Sequence, residues 1–241
     1  MQNILFLPGM MCDERSFQPQ VDFFHNHFQI QIAKPYVSKT MRAVAETILN
    51  QCPFESFYLC GLSMGGIVAM ELLELAPHKI KGLILLDTNS SDDTDERKKM
   101  RDTQIQRAKD GALRNIIIED MKPFYLADNR EDKLKELFLD MAISLGANIF
   151  IAQSLALRNR KNYELVIRNC MLPTLIICGE KDTLCPPEKH ETIKELMPNS
   201  RLCIVKDAGH IVNLEKSHEV NRIMQDWLNN QSKELNENTK K

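Results

Sequence analysis

Apolar runs alternate with longer segments of helical period along most of the chain, and this pattern predicts its elements. The apolar runs predict six strands, at residues 4–7, 28–33, 57–62, 82–87, 174–179 and 202–206. Helices are predicted at residues 14–26, 39–51, 64–76, 187–196 and 213–229. Because the strands are apolar nearly throughout, we expect them to be buried on both faces. The pattern predicts an α/β fold, with a mostly parallel sheet flanked by helices.

Residues from about 90 to 170 interrupt this alternation. Positions 92–102 are densely charged, and the segment after them has a helical period with many Met, Leu and Ile residues. We expect an inserted helical cap that covers the site; extra helices packed on the core are the alternative. The predicted division is a core of residues 1–90 and 171–231, a cap of residues 91–170, and a tail of residues 232–241 that frays.

Composition and charge argue against several classes of function. The 241 residues carry a net charge of −2 with acids and bases interleaved, so nothing favours nucleic acid or an anionic membrane as a partner. We expect no membrane span, because no apolar stretch approaches roughly 18 residues. The seven cysteines are odd in number, and the apolar run at residues 4–7 is too short for a signal sequence. The odd number of cysteines and the lack of a signal sequence together predict reduced thiols and a cytoplasmic protein.

The most informative motif lies at the junction of the third predicted strand and the helix after it. Its sequence is Gly61-Leu62-Ser63-Met64-Gly65. This G-x-S-x-G spacing predicts a sharp turn that presents the Ser63 hydroxyl at the sheet edge as a nucleophile. A Cβ atom at Gly61 or Gly65 is predicted to collide with the tightly folded backbone. A glycine turn with a surface serine is the alternative.

A serine becomes a nucleophile at neutral pH when a base lies within hydrogen-bond reach and an acid orients that base. Asp182 lies in the loop after the fifth predicted strand, and His210 lies in the loop after the sixth. Parallel strands share one carboxyl-terminal edge, so both side chains can converge on Ser63. We predict Ser63, His210 and Asp182 as nucleophile, base and orienting acid, with Glu180 as the rival of Asp182.

The other histidines are poorer candidates for the base. His25 and His27 have a spacing that does not place both on one helix face, as a metal site would need. His78, His190 and His218 are expected in polar, exposed surroundings. We predict no metal site and no cofactor.

Acyl chemistry at a serine also needs two N–H donors for the oxyanion. One is predicted to be the backbone amide of Met64, the residue after the nucleophile. The other is predicted in the tight turn Pro8-Gly9-Met10 after the first strand, with the amide of Met10 as donor. The side chains of Met10 and Met64 could then line an apolar acyl pocket.

Four segments resemble the α/β-hydrolase superfamily in order and spacing. They are Phe6-Leu7-Pro8-Gly9-Met10-Met11, Gly61 to Gly66, Gly179 to Asp182, and Ala208-Gly209-His210. The resemblance covers nearly the whole chain and implies the same triad and the same two oxyanion donors. The chain departs from the family in the first loop, where Pro8-Gly9 stands in place of the usual His-Gly.

Within that superfamily the chain looks most like the small capped carboxylesterases. It is more loosely similar to a pimeloyl-carrier-protein methyl esterase. That second likeness implies that Arg158, Arg160 and Lys161 could meet an acidic carrier protein; a solvated basic helix end is the alternative.

The leading functional hypothesis is hydrolysis of a carboxylic ester of a small or medium acyl substrate through an acyl-enzyme. The same triad could instead serve a thioesterase, a C–C hydrolase or an acyltransferase, and the motif does not separate these. A ligand-binding protein without catalytic activity on the same fold is the hypothesis from a different class.

Overall fold

The computed structural model describes residues 1–127 and 132–238, the last seven as backbone only. Its six strands form one sheet in the order β2-β1-β3-β4-β5-β6, and every neighbouring pair is parallel. The strands are β1 (Gln2–Leu7), β2 (Phe28–Ile32), β3 (Phe57–Leu62), β4 (Ile80–Leu86), β5 (Thr174–Gly179) and β6 (Ser200–Val205). The predicted fold class is confirmed.

Helices cover the sheet and fill the long connection between β4 and β5. They are α1 (Gln18–Phe24), α2 (Met41–Gln51), α3 (Met64–Leu75), α4 (Asp95–Lys109), α5 (Leu113–Asn115), α6 (Lys122–Tyr125), α7 (Asp132–Arg158), α8 (Glu164–Arg168), α9 (Pro187–Leu196), α10 (Val212–Glu215) and α11 (Ser217–Asn238). Short 3-10 segments precede α1 and β4, at Glu14–Phe17 and Pro77–Lys79, and a π-helical segment, Ile116–Met121, joins α5 to α6.

The central strands are buried as expected, but the two outer strands are not. Every residue of β3 and β5 is buried, and both strands have the predicted bounds. The edge strands β2 and β6 are mostly half-buried, with exposed positions such as Gln29 and Ile204. The expectation that all strands are buried on both faces is therefore wrong at the edges, where one side of each strand lacks a neighbour.

Two of the predicted helices are divided in the structure. The segment predicted at 14–26 begins as a 3-10 turn and becomes α-helical only at Gln18, next to Pro19 in the first turn. The segment predicted at 213–229 is interrupted at Lys216, whose backbone is not helical (φ −133, ψ 45). Helix α11 then continues to Asn238, so seven residues of the tail expected to fray are helical. Its fraying stays a prediction, and residues 239–241 lie outside the described residues.

The connection between β4 and β5 is an all-helical insert in its described part, residues 87–127 and 132–173. Helix α4 begins at a Thr94 cap, whose Oγ1 accepts a hydrogen bond from the Arg97 amide. It packs against α7, the longest helix of the insert. The boundaries that divide the core from a cap stay predictions.

Helix α7 passes a length and composition test for a membrane span, with a mean hydropathy of 1.4 over an 18-residue window. The sequence expectation overlooked this apolar stretch. Gly146 interrupts α7 with a non-helical backbone (φ 79, ψ 172), leaving 14 residues before it and 12 after it. At about 1.5 Å per residue neither part reaches the roughly 30 Å of a bilayer core.

The loop after β1 lies against the start of α3 with almost no space between the two backbones. A Cβ atom on Gly65 would lie 2.0 Å from the carbonyl oxygen of Leu7, and one on Gly61 would lie 2.4 Å from the carbonyl oxygen of Gly65. Glycine is therefore required at both positions, as the sequence predicts. Gly9 is different, because a Cβ atom there meets nothing closer than 3.5 Å.

His190 of α9 is fully buried, which corrects the expectation that it is exposed. Its Nε2 atom accepts a hydrogen bond from the Thr88 amide at 2.9 Å, and its Nδ1 atom lies 3.3 Å from the Pro186 carbonyl oxygen. This pattern requires a neutral ring, and burial lowers the pKa of His190 to about 4. The histidine ties the end of β4 to α9.

We expect Gly65→Ala to unfold the protein or to lower its melting temperature severely, because its Cβ atom would overlap the Leu7 carbonyl. Gly9→Ala is the matched control and should change the melting temperature only slightly. Thermal unfolding followed by circular dichroism measures both. Equal melting temperatures for Gly65→Ala and wild type would contradict the close approach.

We expect His190 to make stability depend on pH. The unfolded chain binds a proton at His190 below pH 6.5, whereas the folded chain does so only near pH 4. The stability contributed by the neutral ring is therefore present at pH 7 and is lost as the pH falls from 6.5 towards 4. Between pH 7 and pH 5 this loss is about 2 kcal/mol.

Urea unfolding at pH 7 and pH 5 measures that loss. His190→Gln is the control, since the glutamine amide can accept the Thr88 hydrogen bond but does not titrate. The loss of unfolding free energy should be about 2 kcal/mol smaller in this variant than in wild type. Equal losses in the two proteins would show that His190 does not titrate as described.

Candidate active site

Ser63 lies in the turn between β3 and α3 with a left-handed backbone, at φ 52 and ψ −114. Such a conformation costs about 1–3 kcal/mol for a residue with a side chain, and it persists only where the surroundings fix it. Here the Ser63 amide donates to the Leu86 carbonyl at 2.8 Å. The Thr88 hydroxyl donates to the Ser63 carbonyl, also at 2.8 Å. The backbone of Ser63 is therefore held from the neighbouring strand.

The structure brings the three predicted triad side chains into one hydrogen-bonded chain. His210 Nε2 lies 2.7 Å from Ser63 Oγ, and His210 Nδ1 lies 2.8 Å from Asp182 Oδ2. The other carboxylate oxygen, Asp182 Oδ1, accepts the amides of Leu184 and Cys185 at 2.9 and 3.0 Å. His210 and Asp182 are 1% and 2% exposed, so the contacts between them are shielded from water.

Glu180, the rival of Asp182, has a different position. Its side chain accepts a hydrogen bond from the Asp207 amide at 3.1 Å, and the residue is exposed. It therefore braces the loop that follows β6.

Two further buried carboxylates fix the loops that carry Asp182 and His210. Asp87 accepts the amides of Gly179 and Val212 at 2.9 and 2.8 Å. Burial raises the pKa of Asp87 well above its ordinary value, and the charge of Asp182 adds to this. Glu215 Oε1 accepts the Gly209 amide at 2.9 Å, next to His210.

The turn after β1 lies beside the serine, since a Cβ atom on Gly9 would be 3.5 Å from the Ser63 Cβ atom. In the described part of the chain, no hydrogen bond uses the amide of Met10 or of Met64. Met64 is the first residue of α3, where the amides have no partner within the helix and the helix dipole is positive. The sequence predicts these two amides as oxyanion donors, and that role stays a prediction.

The helical insert contacts the same turn directly. Gln153 of α7 accepts the Met11 amide through Oε1 at 2.8 Å, and Met11 itself has a left-handed backbone (φ 55). The Tyr125 hydroxyl donates to the Met10 carbonyl at 3.3 Å. The Tyr125 ring also packs edge-on against the His210 imidazole, with centroids 5.3 Å apart. The insert therefore helps to hold both the turn and the histidine.

A cavity of about 90 Å³ opens between the sheet edge and the insert. Ser63, His210, Met10 and Met64 form its floor. Its other walls come largely from the insert and combine apolar side chains with charged ones: Met100, Met121, Tyr125, Phe150, Leu157, Arg97, Arg101, Arg160 and Asp120.

Three arginines in this wall surround one buried carboxylate, Asp93. Its Oδ2 atom accepts a hydrogen bond from Arg101 Nε at 2.5 Å, and its Oδ1 atom lies 2.7 Å from a terminal nitrogen of Arg160. Arg97 Nε is 3.7 Å from the same Oδ1 atom. Burial acts to raise the pKa of Asp93, but the neighbouring Arg101 and Arg160 guanidinium groups hold it below its ordinary value.

The basic residues considered for an acidic carrier are paired within the chain. Arg158 donates twice to Asp102, at 2.6 and 2.9 Å, and Lys161 donates to Glu74. Arg160 is only 7% exposed and faces the cavity. Docking of a carrier on these residues stays a prediction, and Arg160 is not available to it at the surface.

One group of side chains in the described part of the chain has metal-ligand spacing, and it overlaps the triad. Potential ligand atoms of Asp182, Cys185 and His210 all lie within 4.8 Å of one another. The Asp182 and His210 atoms already bind each other, and burial raises the pKa of the Cys185 thiol to about 12. A protonated thiol is a poor metal ligand, so this group does not suit a metal.

Sequence reasoning missed the contributions of the insert and of the buried carboxylates. Arg97, Arg101 and Asp93 lie in a densely charged stretch that looks solvent-exposed. Their i, i+4 and i, i+8 spacing from Asp93 could have indicated one shared helical face. Nothing in the local sequence of Gln153 indicates that it reaches the turn after β1.

Comparisons with known proteins agree with this architecture. A family model described as alpha/beta hydrolase fold matches residues 25–217. Lipase 3 from Moraxella sp. (strain TA144) is 25% identical over 162 residues, which cover 64% of this chain and 50% of the lipase. The chain thus spans half the length of this relative.

Solved structures show the same fold at low sequence identity. A thermophilic esterase from Thermogutta terrifontis, in a malate-bound form, superposes with a TM-score of 0.88 at 24% identity, covering 96% of this chain and 90% of the esterase. The enol-lactonase from Burkholderia xenovorans LB400 gives a TM-score of 0.86 at 18% identity, covering 95% and 91% of the two chains. With the family model matching most of its length, the chain belongs to the alpha/beta hydrolase fold family.

Proposed function

We propose that this hydrolase-family protein cleaves a carboxylic ester of a small or medium acyl group through an acyl-enzyme on Ser63. The observation that carries the proposal is the unbroken hydrogen-bond chain from Ser63 Oγ through the His210 ring to Asp182, with contacts of 2.7 and 2.8 Å. A chain of this geometry lets the imidazole accept the serine proton during attack.

The first half-reaction forms the acyl-enzyme. Ser63 Oγ attacks the ester carbonyl while His210 Nε2 takes its proton, and Asp182 stabilises the imidazolium and keeps Nδ1 protonated. The amides of Met10 and Met64 donate to the oxyanion, with the positive end of α3 behind it. His210 then returns the proton to the leaving alkoxide.

The second half-reaction releases the acid. Water takes the place of the alcohol, His210 accepts a proton from it, and the resulting attack on the acyl carbon regenerates the Ser63 hydroxyl. Because His210 and Asp182 are nearly fully buried, their contact stays shielded from water through both steps. A cavity of about 90 Å³ supports a compact substrate.

The named activities of similar proteins also favour an ester substrate. Lipase 3 is named as a lipase, and the two compared structures are an esterase and an enol-lactonase. Thioester cleavage, C–C bond hydrolysis and acyl transfer use the same nucleophile and oxyanion and remain the alternative chemistries. A catalytically idle binding protein is the alternative without a reaction.

We expect Ser63→Ala to lower kcat on short-chain 4-nitrophenyl esters by about four to six orders of magnitude, because it removes the nucleophile. Intact-mass analysis after treatment with a fluorophosphonate should show one adduct on wild type and none on Ser63→Ala or His210→Ala. Ser217→Ala, at the start of α11, is the control and should keep the adduct. A wild-type protein that is folded but gives no adduct would favour the alternative of a binding protein without catalytic activity.

We expect free acid to stay the main product when a primary alcohol or a thiol competes with water for the acyl-enzyme. The product mixture can be resolved by chromatography and mass spectrometry after reaction with a short-chain ester. A new ester or thioester formed at the expense of free acid would identify an acyltransferase instead, with the serine chemistry itself unchanged.

A further inference from the structure

The wall of the cavity carries more positive charge than its acids can balance. Arg97, Arg101 and Arg160 face the cavity, and Asp93 is the one carboxylate of the described residues that pairs with them. The cavity wall also includes Asp120, but that carboxylate is bound by Arg107 at 2.6 Å. Three guanidinium groups around one carboxylate leave an excess of two positive charges.

The hydrogen-bond donors in this group are also incompletely used. Each guanidinium has five N–H donors in a planar fork that matches a carboxylate. Arg97 donates no side-chain hydrogen bond to any described residue, its nearest acceptor being Asp93 Oδ1 at 3.7 Å. Among the described residues, the Arg101 side chain donates hydrogen bonds to Asp93 and to the Met10 sulfur, the latter at 3.9 Å from Nη1. Donors on both residues are therefore available to a ligand.

This excess charge lies close to the reacting atoms. The Arg101 contact with the Met10 sulfur places a guanidinium at the residue predicted to supply one oxyanion donor. Arg101 and Arg160 are each 7% exposed, whereas the Arg97 side chain is 40% exposed. The guanidinium groups of Arg101 and Arg160 thus line the interior of the cavity, and that of Arg97 lies nearer to solvent. Poorly hydrated charges of one sign attract an anionic ligand strongly, because little solvent screens them.

We propose that the substrate carries a carboxylate in addition to the ester group, and that Arg97 and Arg101 bind this carboxylate inside the cavity. The identity of the scissile bond rests on the proposed function, but the binding of the carboxylate does not. A carboxylate suits these donors, because the planar fork of a guanidinium can bind both carboxylate oxygens at once. The core then supplies the reacting groups, and the insert selects an ester-acid.

Equilibrium binding separates this proposal from catalysis. Isothermal titration calorimetry on Ser63→Ala would use the monomethyl esters of malonate, succinate, glutarate and adipate, each compared with its neutral amide. The best ester-acid should bind at least tenfold more tightly than its amide at 50 mM salt. Because charge attraction is screened, that preference should shrink at 500 mM salt.

Arg97→Gln in the Ser63→Ala background tests the residue directly. Its side chain is partly exposed and is not needed to pair Asp93, so folding should be preserved. We expect the preference for the ester-acid to fall at least fivefold. Lys98→Gln is the matched control, since it removes one charge from the same helix at a residue outside the cavity wall, and it should keep the preference.

The outcomes distinguish the two proposals. Equal binding of ester-acids and amides across the series, or equal losses in Arg97→Gln and Lys98→Gln, would overturn the carboxylate site. Tighter binding of methyl phosphate than of every ester-acid would also overturn it. A carboxylate preference in a protein that forms no fluorophosphonate adduct would support the site and refute the serine mechanism.

Discussion

The site depends on the contact between the backbone after β1 and the first turn of α3. Leu7 and Gly65 approach so closely that a single methyl group would not fit between them. This contact holds the turn that contains Gly9 and Met10 beside Ser63, next to the first residue of α3, Met64. The strained backbone of Ser63 is then held by hydrogen bonds from the β4 side of the sheet. In the proposed mechanism, such a fixed serine would need little rearrangement during reaction.

Core and insert make different contributions to this site. The core positions Ser63, His210 and Asp182 through loops that all leave the carboxyl edge of the sheet, where Asp87 and Glu215 bind their amides. The insert forms most of the cavity wall and carries its charged groups. Under the proposed function, the sheet edge supplies the reacting groups and the helices above it select the substrate.

The sequence predicts best the parts whose physical cause is local. The bounds of β3 and β5 follow from unbroken apolar runs, and the elbow at Ser63 follows from glycine spacing and chain order. Partners distant in sequence could not be predicted in this way. His190 appears exposed by composition, but it is buried and accepts a hydrogen bond from the Thr88 amide, 102 positions away in sequence.

The structure of the insert is still harder to predict from sequence, because the residues that line its cavity resemble those of an exposed charged helix. Arg101 and Arg160 are 59 residues apart in sequence and meet only through Asp93. The local sequence pattern shows that such a helix is charged, but it does not predict which face of the helix packs against the core. The break in α7 at Gly146 was missed for a similar reason, since the apolar pattern continues through it.

The hydrogen bond from the Met11 amide to Gln153 joins the insert to the core at its most sensitive turn. An insert that moved away as a rigid body would leave this amide unpaired and would release the neighbouring Tyr125 contact with the Met10 carbonyl. Movement of the insert would therefore disturb the turn that carries Met10. Arg97 lines the same cavity with a side chain that is 40% exposed, so a small molecule that entered beside it would leave both contacts in place.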